Sequence, residues 1–197
     1  MSLLLFQLPT IVKPPKIYDP KRVLDEMVKS FASLFNDEDT ADMHCSMMLE
    51  KVHVHREFVK LCSEPLISKL LKNNEITQME KSVLKFFYTG KIDNLASQAK
   101  ELIELAQNYK IPVLTAYCEK TLITSLRVGN VLETFIIASR TNSLTLRKKS
   151  LEMIQKENKN IMRTNNWRQL VKENVDVVFE LLMEGFFEIS LNKRYTL

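Results

Sequence analysis

The sequence predicts an α+β fold in which one short β-hairpin is set into a mainly helical chain. Three observations predict it. Apolar residues recur at helical spacing in nearly every segment beyond residue 56. Two short strand-like runs, residues 43–48 and 52–55, stand side by side in the first third. Only three glycines occur in 197 residues, too few for the tight turns of an all-β fold. A chain of this length buries about 70% of its unfolded surface, enough for one large domain or two small ones.

Residues 1–21 contain four of the six prolines, including Pro14-Pro15, and show no periodicity, so they are expected to form an extended arm. A helix follows over residues 22–35, because Val23, Met27, Phe31 and Leu34 fall on one stripe. The acidic cluster at residues 36–39 ends it. The two strand-like runs come next, with Leu49-Glu50-Lys51 expected as their turn. Further on, Leu95, Ala99, Leu102, Ala106 and Tyr109 keep helical register behind Asn94, a residue suited to cap a helix. Pro112 suits the first turn of the next helix, where its missing N–H costs nothing, and that helix is expected to turn Val113, Tyr117 and Cys118 inward. From about residue 126 the composition shifts. Residues 126–190 read as a small all-α layer of amphipathic helices, with 191–197 as a terminal tail.

Composition narrows the function. A net charge of +4, with Lys and Arg interleaved among Asp and Glu, gives no focused field for a polyanion. The densest basic run, Arg147-Lys148-Lys149, is short, precedes Glu152 and reads as a solvated helix face, so no nucleic-acid partner is expected. Three scattered cysteines within apolar patterns are the usage of a reducing compartment, nuclear or cytoplasmic. The apolar opening Leu3-Leu4-Leu5-Phe6 has no basic leader and meets Pro9, so neither a signal peptide nor a membrane span is expected.

Chemistry-bearing patterns are sparse. His53 and His55 would share one strand face, with His44 and Cys45 opposite, which is half of a metal site without an acidic or paired-cysteine partner; no metal is expected. No Gly-x-Ser-x-Gly elbow or glycine-rich phosphate loop is present, so no catalytic residue, cofactor or enzyme activity is expected. Glu101 and Glu104 read as solvated charges, and the nine methionines as ordinary packing.

Three segments carry a family resemblance: His55-Arg56-Glu57-Phe58-Val59, Ser63-Glu64-Pro65-Leu66-Ile67-Ser68-Lys69-Leu70 and Phe86-Phe87-Tyr88-Thr89-Gly90. In order and character they resemble a BTB/POZ domain, which would occupy residues 22–125. Val128-Gly129-Asn130 and Asn166-Trp167-Arg168-Gln169-Leu170 resemble the BACK-like tail of speckle-type POZ proteins and their MATH-BTB relatives. The resemblance implies a self-associating recruitment module with a small mixed sheet and a helical stack. It places apolar dimer contacts at Met27, Phe31, Leu34 and Phe58, a buried charged pair at Asp42 and Arg56, and tail self-association at Val178, Leu182 and Phe186.

The same resemblance implies a cullin-facing surface at Leu66, Lys69, Leu70, Tyr109 and Lys110. Here the chain departs from the family. Leu66 stands for a phenylalanine, Lys69 for an apolar contact, and residues 71–83 are short by about one strand, leaving Asn74-Glu75-Ile76. The expected function is a dimeric adaptor or regulator of a cullin-type ubiquitin ligase, with weak cullin affinity. The alternatives are a partner that pairs with itself or another BTB protein without bringing a ligase, and a transcriptional co-regulator. The last is disfavoured by the absence of a zinc-finger pattern or basic helix.

Overall fold

A computed structural model of the chain describes residues 19–194, with side chains described through residue 184. Helix α1 (Pro20–Ser33) starts where Asp19 accepts a hydrogen bond from the Lys21 amide (3.0 Å) and Pro20 presets the first turn. Strands β1 (Met43–Met47) and β2 (Glu50–Val54) form an antiparallel hairpin with His44 opposite His53 and Cys45 opposite Val52. The turn is Met48-Leu49, one residue earlier than the sequence suggested. Met48 takes a positive φ of 53°, a conformation that ordinarily favours Gly or Asn, and both turn side chains stand in solvent.

Both edges of the hairpin are closed locally. Asn36 accepts from the His53 amide through Oδ1 (3.0 Å) and donates its own amide to the His53 carbonyl (3.1 Å), blunting the β2 edge. On the β1 side, Ser46 forms a parallel bridge with Glu75: its amide donates to the Asn74 carbonyl (2.8 Å), and its carbonyl accepts from Ile76 (2.9 Å). The expected small mixed sheet is thus one hairpin plus one parallel bridge, and the shortened segment supplies that bridge.

The stack that follows is α2 (Arg56–Cys62), α3 (Glu64–Lys72), α4 (Gln78–Thr89), α5 (Leu95–Asn108) and α6 (Pro112–Thr124). Ser63 caps α3 by accepting from the Leu66 amide (3.1 Å). Thr77 and Glu80 cap α4 reciprocally, and Gly90 closes it at φ 65°, the left-handed conformation that glycine adopts without strain. Asn94 occupies the cap position of α5 but takes φ 53° and makes no side-chain cap bond; its carbonyl accepts from Ser97 instead. The inward face of α6 is Leu114, Cys118 and Leu122. Val113 and Tyr117, expected inside, are exposed.

The tail comprises α7 (Val131–Arg140), α8 (Leu144–Lys156), the short α9 (Asn158–Ile161), α10 (Asn165–Glu173) and α11 (Val175–Arg194). Asn174 separates α10 from α11, and α11 continues past residue 190, the expected end of the helical layer. Helix α7 is buried on both sides. Ile137 and Ala138 complete the core built by the hairpin and α2–α6, whereas Val131, Leu132 and Phe135 join Ile161, Leu170 and Leu181 in a second core. One ten-residue helix therefore welds the two layers.

Arg147, expected on a solvated face, is part-buried. Its guanidinium lies 5.1 Å from the Phe135 ring centroid and pairs with Glu180 and Glu184 of α11, so it clamps α8 to α11. Lys148 and Lys149 remain exposed. Asn166 donates to the Gly129 carbonyl (2.9 Å), joining the two stretches that carry the tail resemblance. Among the described residues, no helix is long and apolar enough to cross a membrane.

Because Phe135 is fully buried at the centre of the second core, Phe135→Ala should cost about 3–5 kcal/mol. Urea unfolding followed by far-UV circular dichroism should show this as a lower midpoint, whereas the exposed-site control Leu144→Ala should stay within about 0.5 kcal/mol of the native chain.

Candidate interaction surfaces

Helix α1 contains no buried residue. Its outward stripe is Leu24, Met27, Val28 and Phe31, with Met27 52% and Phe31 43% exposed. What fixes α1 to the body is a row of rings. Phe31 stacks on Phe58 of α2 (5.8 Å between centroids, 22° between planes), Phe58 packs on Tyr88 of α4 (4.7 Å), and Phe35 meets Tyr88 from the other side (5.6 Å). The Tyr88 hydroxyl accepts from the His55 amide (2.9 Å) and lies 3.2 Å from His55 Nδ1, while His55 Nε2 lies 3.2 Å from Thr40 Oγ1, which donates to Asp37 (2.7 Å). The arrangement holds α1 in place yet leaves its far side bare.

Asp42 and Arg56, the implied charged pair, are both exposed in the single chain. Asp42 Oδ1 accepts from the Arg56 backbone amide (2.7 Å) and so caps α2, because the side chain of the cap residue His55 is turned to Tyr88 and Thr40 and makes no capping bond. No ion pair joins the two side chains among the described residues.

A second constellation lies where α3, α4 and the end of α5 converge. Glu80 is 4% exposed. Its carboxylate accepts from the Thr77 amide (2.8 Å), from Lys69 Nζ (3.1 Å) and from the Tyr109 hydroxyl. Lys69 also donates to the Glu75 carbonyl, and the Tyr109 carbonyl accepts from Ser63 Oγ (2.6 Å). Burial alone would push the Glu80 carboxyl up; Tyr109, Thr77 and Lys69 outweigh it and hold the group below its ordinary 4.5. Burial, reinforced by the Glu80 carboxylate, pushes the Tyr109 phenol up.

The candidate metal constellation does not assemble. His44 and His53 face each other across the hairpin at 6.4 Å, but His55 has left the strand for the start of α2, and Cys45 is sealed in the core with its thiol pushed up to about 11 by burial. Burial likewise pushes Cys118 up to about 12, so neither thiol offers a thiolate. Among the described residues, no group of three or more His, Cys, Asp or Glu is placed to hold a metal ion.

Comparison with known families matches residues 31–126 to the BTB/POZ domain. Those residues are a BTB domain. Domains of this family are interaction modules rather than enzymes. The chain is similar to protein maternal effect lethal 26 of Caenorhabditis elegans, at 18% identity over 190 residues covering 89% of the chain and 48% of the relative. It thus spans about half the length of that curated relative. Among solved structures it is similar to the BTB domain of zebrafish PATZ1, at 19% identity and a TM-score of 0.43, covering 56% of the chain and all of that domain.

Within the BTB domain, the residues implied to face a cullin divide sharply. Leu66 and Leu70 are buried in the core of the domain and cannot touch a partner. Lys69 is one-third exposed but is engaged by Glu80 and Glu75, and Tyr109 is half-buried on Glu80. Lys110 is exposed. In the tail, Val178 packs against the second core and Leu182 is half-buried, while Phe186 lies outside the residues whose side chains are described. The exposed apolar stripe on α11 is Val175, Phe179 and Met183, displaced around the helix from the expected one, and Val171 is exposed on α10. Sequence reasoning also missed Leu24 and Val28, which an i, i+4 reading would have added to α1. It missed Glu80 too, which the Thr77-x-x-Glu80 capping box signals.

Lys69→Met leaves a buried carboxylate with one cation fewer, so the variant should lose about 2–3 kcal/mol of stability, less than for a fully enclosed pair because Lys69 is partly solvated. Denaturant titration measures it. The Glu80 contribution should be complete above pH 4.5 and lost as pH falls through the lower folded value. Below pH 4.5 the native chain should therefore lose stability more steeply than Glu80→Gln, with parallel curves at higher pH.

Proposed function

We propose that the chain acts as a dimeric interaction module, pairing with itself or another BTB protein through α1, and that it serves as an adaptor or regulator of a cullin-type ubiquitin ligase with weak cullin affinity. The observation that carries the dimer is α1, a fourteen-residue helix with no buried residue and with Leu24, Met27, Val28 and Phe31 turned outward. A lone helix of this length is marginal in water, and four large apolar side chains on one face favour a twin helix as the covering partner. Asp42 and Arg56 are exposed in the single chain and would become enclosed in the dimer, as the resemblance implies.

Weak ligase recruitment follows from how the implied docking residues are used. Leu66 and Leu70 are consumed by the core, and Lys69 would have to give up Glu80 before offering anything to a partner. The loss of one apolar anchor typically costs 2 kcal/mol or more, about thirtyfold in affinity. The modulator reading, pairing without recruitment, draws on the same observation.

Static light scattering of the native chain should give a dimer mass, and Met27→Asp, which sets a carboxylate into the proposed interface from an exposed position, should give a monomer with unchanged far-UV circular dichroism. A native monomer at micromolar concentration contradicts the proposal. Titration calorimetry with a cullin N-terminal domain should report a Kd near micromolar. Nanomolar binding would restore the strong-adaptor reading, and no binding would leave the modulator.

A further inference from the structure

Helix α6 is apolar on both sides. Leu114, Cys118 and Leu122 enter the core, yet Val113 and Tyr117 on the opposite side are 59% and 51% exposed. The outer side of α6 forms a groove of about 540 Å³ lined by Pro112, Val113, Ala116, Tyr117 and Lys120. The floor is firm, because Tyr117 rests edge-on against Phe86 of α4, with ring centroids 6.1 Å apart.

The one charged side chain that lines the groove is basic. Lys120 lines it, and Lys110 is exposed two residues before α6 begins; neither belongs to an ion pair among the described residues. The one carboxylate of α6, Glu119, is turned away and accepts from Ser143 (2.5 Å). The amino end of α6, at Pro112, adds the partial positive charge of a helix terminus.

We propose that this groove docks an amphipathic, acidic peptide segment of a partner protein, with one large apolar side chain seated between Val113 and Tyr117 and its Asp or Glu residues beside Lys120 and Lys110. Charge complementarity selects that occupant. Residues 1–18 of the chain itself are apolar but carry Lys13 and Lys16 and no carboxylate, so they bring the wrong sign. The site is distinct from α1, and it borders the Glu80 cluster only through Lys110, the residue after Tyr109; its floor, Phe86, lies six residues beyond Glu80 along α4, about 9 Å at helical rise.

The test uses the full chain and two fluorescein-labelled helical peptides with identical Leu and Phe anchors at i, i+4 and i+7, one flanked by Glu and its twin by Lys. Fluorescence anisotropy should show the Glu-flanked peptide binding at least tenfold more tightly than the twin. Lys120→Glu should level or invert that preference, and Val113→Asp with Tyr117→Ser should abolish binding. If the double variant fails to fold, Lys120→Glu, at an exposed position, decides alone. Equal binding of the twins, no binding at millimolar peptide, or an unchanged preference in Lys120→Glu would overturn the proposal. So would displacement of the peptide by a cullin N-terminal domain, which would make the groove part of a ligase-facing surface.

Discussion

The buried carboxylate of Glu80 is the constraint around which the sheet side of the BTB domain is arranged. It draws Lys69 from α3, the Thr77 amide from the start of α4 and the Tyr109 hydroxyl from the end of α5 to one point. The ring closes because the Tyr109 carbonyl accepts from Ser63, the residue that caps α3. The segment between α3 and α4 meets β1 through a single bridge at Glu75, whose carbonyl Lys69 also holds. An ion pair and a capping box thus do locally what a ladder of backbone hydrogen bonds does in a complete sheet. A buried charge is tolerated only while every partner is in place, which ties the order of the segment between α3 and α4 to these few side chains.

That arrangement also determines what the surface can offer. Leu66 and Leu70 face inward beneath Lys69, so the helix that the resemblance assigns to docking contributes its apolar side to the fold and its lysine to Glu80. Apolar surface remains at Leu71 near the end of α3 and at Leu61 of α2, and elsewhere on α1, on the outer side of α6, at the Met48-Leu49 turn and along α10 and α11. The tail packs directly on the BTB domain, because Ile137 and Ala138 of α7 and Leu146 of α8 enter its core, and within the tail Arg147 clamps α8 to α11 across Phe135.

The sequence made the helices readable wherever one face is apolar and the other is not. The α1 stripe, the α5 heptad-like register and Pro112 at the start of α6 were legible for that reason. It failed at α6 itself, where apolar residues on both sides give no direction, and Val113 and Tyr117 were turned the wrong way. It also failed where long-range electrostatics decide. Nothing in Arg147-Lys148-Lys149 distinguishes the buried arginine from its solvated neighbours, since Glu180 and Glu184 are more than thirty residues away. The cullin-facing assignment put Leu66 and Leu70 outside because position in a motif carries no information about burial. The hairpin turn slipped by one residue because Met48 adopts a left-handed conformation without the usual Asn or Gly signal.

The central claim is that α1 is covered by a second α1. Amide hydrogen exchange over α1 (Pro20–Ser33), followed by mass spectrometry across a hundredfold range of protein concentration, tests it most directly. The account predicts slow exchange in α1 at high concentration and faster exchange on dilution, with the core helices α5 and α7 unchanged. Exchange in α1 that is rapid and independent of concentration would contradict it.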